Sequence, residues 1–150
     1  MPGLSTTEAL GSRLAALLPA NPAGWMLLLE GELGSGKSTL ARAMLRKFGY
    51  AGPVPSPTYT LVEPYQFDEF IVYHVDLYRI SDTDELQFLG WPELRDGLLL
   101  VEWPERVEGL AGQADVNVRL RYAGEGRAAR LVGLTPRGAE LVAAVSVNRV

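Results

Sequence analysis

Leu10, Leu14, Leu17 and Leu18 fall on one stripe at helical spacing before Pro19 breaks it, and Ser5-Thr6-Thr7-Glu8 has the form of a capping box. The pattern predicts a helix over about residues 6–18. After the turn Asn21-Pro22-Ala23-Gly24, the apolar run Trp25-Met26-Leu27-Leu28-Leu29-Glu30 is too short for a typical helix and suits a strand buried on both faces. A glycine-rich loop follows. From Lys37 onward Leu40, Met44, Leu45 and Phe48 return to helical spacing, and Gly49 ends the helix.

Pro53, Pro55 and Pro57 make 52–58 a stiff connecting loop, because proline removes a backbone donor and cannot sit inside a helix. Two β-rich segments, 59–64 and 70–78, flank the polar tip 66–69 and predict a hairpin. Ser81 and Asp82 offer caps for a helix through Leu89 that Gly90 and Pro92 terminate, and Leu98-Leu99-Leu100-Val101 reads as another central strand. Trp103-Pro104 turns into a short helix. Val116, Val118, Leu120 and Tyr122 alternate with polar residues, and 128–134 answers them across Gly124-Glu125-Gly126 as a second hairpin. Thr135-Pro136 places a cap and a first-turn proline at the start of a final helix. There is neither an internal repeat nor a low-complexity stretch. Strands alternating with helices predict an α/β fold with a mixed central sheet flanked by helices.

The chain has 150 residues and 16.3 kDa, the size of one domain. With 47% apolar and 21% charged residues, disorder, collagen-like repeats and coiled coils are excluded. The longest strongly apolar run, Trp25 to Leu29, falls far short of the roughly 18–20 residues that span a bilayer. The N-terminus has no basic segment leading into an apolar stretch, so neither a membrane protein nor a secreted one is expected. Without cysteine there are no disulfides or thiolate metal sites, and a cytoplasmic protein is the expectation. A net charge of −4 argues against a directly gripped nucleic acid. Residues 1–110 carry 8 basic and 15 acidic side chains while 111–150 carry 6 and 3, so the tail has its own electrostatic character.

Gly31-Glu32-Leu33-Gly34-Ser35-Gly36-Lys37-Ser38 matches G-x-x-x-x-G-K-[ST] directly after a predicted strand and at the start of a predicted helix. Its glycines let the backbone fold round an anion with amide hydrogens pointing inward, and the helix N-terminus adds partial positive charge. Glu32, Leu33, Gly34, Ser35, Gly36, Lys37, Ser38 and Thr39 are the expected nucleotide-binding residues. Lys37 would reach the β- and γ-phosphates, and the Ser38 hydroxyl would ligate a Mg²⁺ bridging them. A P-loop also needs a carboxylate at the end of a neighbouring strand, and two qualify: Asp76 after Ile71–Val75 and Glu102 after Leu98–Val101. Spacing does not rank them.

Leu29-Glu30-Gly31-Glu32-Leu33-Gly34-Ser35-Gly36-Lys37-Ser38, Ser56-Pro57-Thr58-Tyr59-Thr60-Leu61-Val62, His74-Val75-Asp76-Leu77-Tyr78-Arg79 and Val101-Glu102-Trp103-Pro104-Glu105, in this order, resemble the TsaE family. These are bacterial ATPases of tRNA threonylcarbamoyladenosine biosynthesis. The four blocks cover most of residues 5–110, with Ser38 where the family often has threonine and Ser35 where it often has alanine. The resemblance implies a single P-loop NTPase domain over 1–150, with an N-terminal helix, a nucleotide-binding core at about 24–110 and a C-terminal hairpin and helix. It implies ATP and Mg²⁺ as cofactors, Asp76 as the Mg²⁺ carboxylate, and Glu102 as the residue that positions the attacking water at the metal's edge, with Trp103 beside it. Thr58 would act as a switch threonine near the γ-phosphate, so that Lys37, Glu102 and Thr58 form the catalytic set and Ser38, Asp76 and Glu102 the metal set. It also implies protein partners of the TsaB and TsaD type in a transferase complex, with tRNA met only through them.

Other residues carry weaker signals. His74 shares a strand face with Asp76 and reads as a hydrogen-bonded partner that orients a neighbour rather than as a metal ligand. Tyr73, Tyr78 and Trp103 read as packing residues, Arg79 as a contact to phosphate or to a sheet-end carboxylate. Arg119, Arg121, Arg127, Arg130 and Arg137 read as a solvated face of the last hairpin. The expected function is an ATP-hydrolysing energy-coupling subunit. A small-molecule P-loop kinase is the alternative, but such kinases need an arginine-bearing lid, and 82–96 supplies only Arg95. A binding module without turnover fits poorly with Glu102 beside the crevice, and the lack of an Asn-Lys-x-Asp run favours ATP over GTP.

Overall fold

Apolar runs that lack a polar face need neighbours on both sides, and the two strongest in the chain, 26–30 and 98–102, lie side by side within a sheet. The structure is a computed structural model that describes residues 3–147 other than 33, 59, 82, 83, 124 and 125. Its elements are α1 (Gly3–Leu17), β1 (Met26–Glu30), α2 (Lys37–Phe48), β2 (Val62–Gln66), β3 (Ile71–Asp76), α3 (Glu85–Phe88), α4 (Trp91–Leu94), β4 (Leu98–Glu102), β5 (Val116–Ala123), β6 (Gly126–Gly133) and α5 (Pro136–Val147). Short 3₁₀ turns at Pro104–Arg106 and Leu110–Gln113 follow β4. The described residues form one six-stranded sheet in the order β2-β3-β4-β1-β5-β6. Its four middle strands are parallel, and β2 and β6 close the edges as antiparallel hairpin partners. This is a single-domain α/β fold with a mixed sheet flanked by helices.

Side-chain alternation divides the core in two. Leu27, Leu29, Leu98, Leu100 and Val116 pack with Leu14 of α1, Leu40 and Met44 of α2 and Leu141 of α5. Met26, Leu28, Leu99 and Val101 face the other way, onto Leu86, Trp91, Leu94 and Leu110. The chain passes from β1 to β3 and only then to β4, which lies between them, so the carboxyl ends of all three meet at one edge. A ligand crevice forms at such a point.

Local geometry shifts several predicted boundaries. The first helix begins at Gly3 rather than near residue 6, which puts Ser5 inside it; the Ser5 side chain lies outside the described residues. The first hairpin starts at Val62 rather than at 59, because the Leu61 amide donates to Pro57 O at 2.8 Å and Leu61 adopts φ 70, a turn that keeps 57–61 out of the sheet. Tyr59 lies outside the described residues. Pro64 is tolerated because β2 is an edge strand and needs no outward donor. The helix expected over 81–89 is only Glu85–Phe88, and the Asp82 expected to cap it is outside the described residues. Gly90, at φ 74, re-aims the chain, and Pro92 then sits in the first turn of α4, where its missing N–H costs nothing. Gly124 and Glu125 at the tip of the second hairpin, and the Arg127 side chain, are also outside the described residues.

The final helix starts as expected, with Thr135 Oγ1 accepting the Gly138 amide at 3.0 Å. Arg137 departs from the solvated face expected of it. Its guanidinium donates to both carboxylate oxygens of Asp115, at 2.8 and 3.0 Å, and to Gly24 O at 3.0 Å. Asp115, whose side chain is almost fully buried, also accepts from the Met26 amide at 2.9 Å and the Thr135 hydroxyl at 2.9 Å. Burial alone would raise the Asp115 carboxyl; the bonds from Arg137, Met26 and Thr135 outweigh it and hold the group below its ordinary range. A carboxyl whose folded pKa is depressed contributes stability above its unfolded pKa and loses it as pH falls through the folded value. Arg137→Ala is expected to cost about 1–2 kcal/mol at neutral pH, a figure held down because the arginine is half-exposed. In thermal melts the gap between variant and wild type should narrow once pH drops below the ordinary carboxylate range. A gap constant down to pH 3 would mean that the pair does not act through the Asp115 charge.

Candidate functional site

The loop between β1 and α2 is built on one conformational demand. Gly36, immediately before Lys37, has φ 113, which a side chain adopts only under strain, and the buried Thr7 of α1 packs against it. From there the helix opens with its amide hydrogens toward a cleft of about 380 Å³. Gly34, Gly36, Lys37, Ser38, Thr39, Thr58, Asp76, Glu102, Ser56, Tyr78 and Trp103 line it. Of the expected nucleotide-binding residues, Ser35 lies buried beneath the loop, Glu32 lies outside the cleft lining, and Leu33 is outside the described residues. The Glu32 carbonyl accepts the Ser35 amide at 3.0 Å and so shapes the loop from within.

The two strand-end carboxylates that spacing left unranked are register partners: Asp76 pairs with Glu102, and Glu102 with Leu29. Opposed residues of neighbouring strands share a face, so both carboxylates emerge beside the α2 N-terminus. Their contacts differ. Glu102 Oε2 accepts the Ser38 hydroxyl at 2.9 Å and a hydrogen bond from His74 Nε2 at 2.5 Å. Asp76 Oδ1 accepts the Tyr78 amide at 2.8 Å, and Oδ2 faces the Thr58 hydroxyl at 3.4 Å. Ser56, which sequence reasoning passed over, completes the row with Oγ 2.8 Å from Thr58 Oγ1. Burial first, and the Glu102 charge after it, push the Asp76 carboxyl above its ordinary value against the bonds from Tyr78 and Thr58.

Lys37 is buried, and its amine donates to the carbonyls of Gly31 and Glu32. The Trp103 ring covers it, 3.7 Å from Nζ to the ring centroid. Desolvation lowers the Lys37 pKa while Glu102, Glu105 and Asp76 oppose it, so the surrounding carboxylates favour the charged form. Trp103 itself is held at φ 58, in the left-handed region, directly after Glu102. Of Leu61 and Trp103, the non-glycine residues with positive φ among those described, Trp103 lines this cleft, and the Leu61 carbonyl accepts the Asp76 amide at 2.9 Å. Tyr78 is exposed and meets Trp103 edge to face at 4.8 Å; both rings line the cleft, Trp103 while also packing against the core as expected and Tyr78 instead of packing there. Tyr73 does pack against the core, and Arg79 is exposed in the turn after Asp76.

Tyr122 is a second residue that sequence reasoning missed. From β5 its hydroxyl donates to Gly34 O at 2.8 Å and buttresses the loop. Its place in the alternation of β5 marked it as packing; only the fold brings it across to the loop. On the same strand Arg119 pairs with Glu30 at 3.2 Å.

Residues 1–131 match the family model described as threonylcarbamoyl adenosine biosynthesis protein TsaE. The chain is 42% identical over 123 residues to the tRNA threonylcarbamoyladenosine biosynthesis protein TsaE of Haemophilus influenzae, covering 81% of this chain and 78% of that relative. It is 38% identical over 120 residues to the protein of the same name from Synechocystis, covering 75% and 73%. Its structure is similar to the crystal structure of Bacillus subtilis YdiB, with a TM-score of 0.78 at 25% identity, covering 98% of this chain and 91% of that one. With a match that takes in the glycine-rich loop and both strand-end carboxylates, the chain belongs to the TsaE family, whose curated relatives named above are tRNA threonylcarbamoyladenosine biosynthesis proteins.

Proposed function

We propose that the chain is the Mg²⁺-dependent, ATP-hydrolysing subunit of the cytoplasmic assembly that installs N6-threonylcarbamoyladenosine in tRNA, coupling hydrolysis to a transferase complex of TsaB and TsaD type subunits. Residues 1–150 act as one P-loop NTPase domain. The observation that carries the reading is the Ser38–Glu102 contact at the N-terminus of α2, with Asp76 one strand away: hydroxyl and carboxylate oxygens meet where a nucleotide's phosphates would be cradled.

The donors suit a hard cation. Ser38, Asp76 and Glu102 offer only oxygens, and among the described residues no three His, Cys, Asp or Glu side chains form a closed cage. Mg²⁺ is usually held in this way, by one or two carboxylates with phosphates and waters completing the shell. When bound, it would neutralise charge developing on the phosphoryl oxygens. Lys37 exchanges its carbonyl partners for β- and γ-phosphate oxygens. Thr58 sits at the γ-phosphate end, and Glu102 orients the water that attacks γ-phosphorus as the bond to ADP breaks. The kinase alternative lacks its lid cation: Arg95 donates to Gln113 O at 3.1 Å and does not line the cleft.

Asp76→Asn and Glu102→Gln test the assignment because they should fail differently. Asp76→Asn is expected to weaken Mg²⁺-nucleotide binding in a titration. It should also raise the melting temperature of the nucleotide-free chain. A carboxyl with a raised folded pKa supports folding below its unfolded pKa and loses that support as pH rises through the folded value, so at neutral pH the ionised group opposes folding and a neutral amide removes the cost. Glu102→Gln is expected to keep binding and slow hydrolysis. Equal loss of binding in both variants would refute the division of roles.

A further inference from the structure

His74 lies in the middle of β3 with no exposed surface, and it is the only histidine in the chain. Strand alternation puts it on the same face as Asp76, one repeat further from the cleft, and register sets it opposite Leu100. From there the ring reaches diagonally to Glu102, with Nε2 2.5 Å from Oε2. A carboxylate can only accept, so Nε2 carries the hydrogen of this bond. Nδ1 is buried and has no hydrogen-bond partner. The imidazole therefore occupies the core with half its hydrogen-bonding capacity unmet, a cost that leucine at this position would not carry. What the histidine supplies in return is a single bond, and that bond goes to Glu102.

We infer that His74 is a positioning residue that clamps Glu102 Oε2 against Ser38 and thereby fixes the direction in which Glu102 presents its other oxygen to the cleft. Oε2 takes both hydrogen bonds, from Ser38 at 2.9 Å and from His74, leaving Oε1 unbonded among the described residues. The role rests on the hydrolytic reading above. A Ser38 hydroxyl whose lone pairs faced a cation could still donate its hydrogen to Glu102, so the two contacts on Oε2 would act together. His74 is the contact from the core side that keeps the carboxylate in line for the attacking water. Partners of this kind, which orient a functional group without touching substrate, typically change activity by about 10- to 100-fold when removed.

The test compares His74→Leu, which keeps apolar volume but loses the donor, with His74→Gln, whose side-chain amide can reach the same oxygen. His74→Leu is expected to lower kcat by about 10- to 100-fold while KM for Mg²⁺-ATP moves less than about threefold, and His74→Gln to recover most of the loss. Thermal melts of both variants establish that they fold. Because the chain has one imidazole, its ¹⁵N spectrum needs no assignment: wild type should show the Nε2–H form, and Glu102→Ala should erase the hydrogen-bonded proton. An Nδ1–H form, a wild-type kcat in His74→Leu, or equal loss in folded His74→Leu and His74→Gln would overturn the positioning role. No turnover by the wild-type chain, with or without its partner proteins, would instead overturn the hydrolytic reading, and the spectrum would still decide whether the clamp exists.

Discussion

Lys37→Ala is expected to lower ATP hydrolysis by about 10²- to 10³-fold, the usual effect of deleting one preorganised electrostatic contact to a reacting centre. Lys37 is the one cationic side chain among the described residues lining the cleft, so no other lining residue can take over its charge. Its position is prepared in advance: the Gly31 and Glu32 carbonyls hold the amine at the loop, and the Trp103 ring shields it from solvent. Buried carboxylates around it favour the charged form against the pull of burial. Alanine would leave Asp76 and Glu102 facing each other without that cation, and the Asp76 carboxyl should rise further. The fold should persist, because the amine bonds to loop carbonyls rather than to the sheet, and far-ultraviolet dichroism with thermal melting checks this. Wild-type hydrolysis by Lys37→Ala under matched Mg²⁺ would remove the phosphate-cradle assignment.

What could be read in the sequence, and what could not, divides by the distance over which the information lies. The strand, glycine-rich loop and helix around Lys37 were legible because their determinants are contiguous: an apolar run fit only for a buried strand, glycines where the loop must turn, and a helix opening on Lys37. Asp76 and Glu102 were legible as strand ends but not as a pair, since their relation is a cross-strand register set by β4 inserting between β1 and β3. That register turns Glu102 onto Ser38, while Asp76 is bonded to Thr58 and Tyr78. Tyr122 and Gly34 lie 88 residues apart, and Arg137 is bound to an aspartate across the β5–β6 hairpin. Neither contact has a local signature. The 81–89 helix failed for another reason: local caps promised a helix, and Gly90 in the left-handed region divided the segment into two single turns.

The purified chain is expected to hydrolyse ATP slowly, and its partner assembly to accelerate it by about 10³- to 10⁵-fold, the range an added arginine contributes to phosphoryl transfer. The cleft lining supplies the reason. Rapid transfer needs positive charge on the γ-phosphoryl group beyond the P-loop lysine and Mg²⁺, and among the described residues lining the cleft there is no arginine. The nearby arginines are otherwise engaged or turned outward: Arg119 pairs with Glu30, Arg106 stacks on the Tyr78 ring at 4.8 Å, and Arg79 is exposed past the end of β3. A partner could act by inserting a cation over Tyr78 and Trp103, or by pressing the proline-stiffened 52–58 loop inward so that Thr58 closes on the γ-phosphate. The second route fits a stiff loop held at both ends, by the Asp76 amide on Leu61 O at 2.9 Å and by the Arg46 guanidinium on Gly52 O at 2.5 Å, so that pressure on it is passed to Thr58. Both routes predict the same dependence in a steady-state assay with and without the partner proteins. Turnover of tens per second by the chain alone, unchanged by partners, would mean that the charge is already complete in this cleft and that the enzyme is autonomous rather than a coupling subunit.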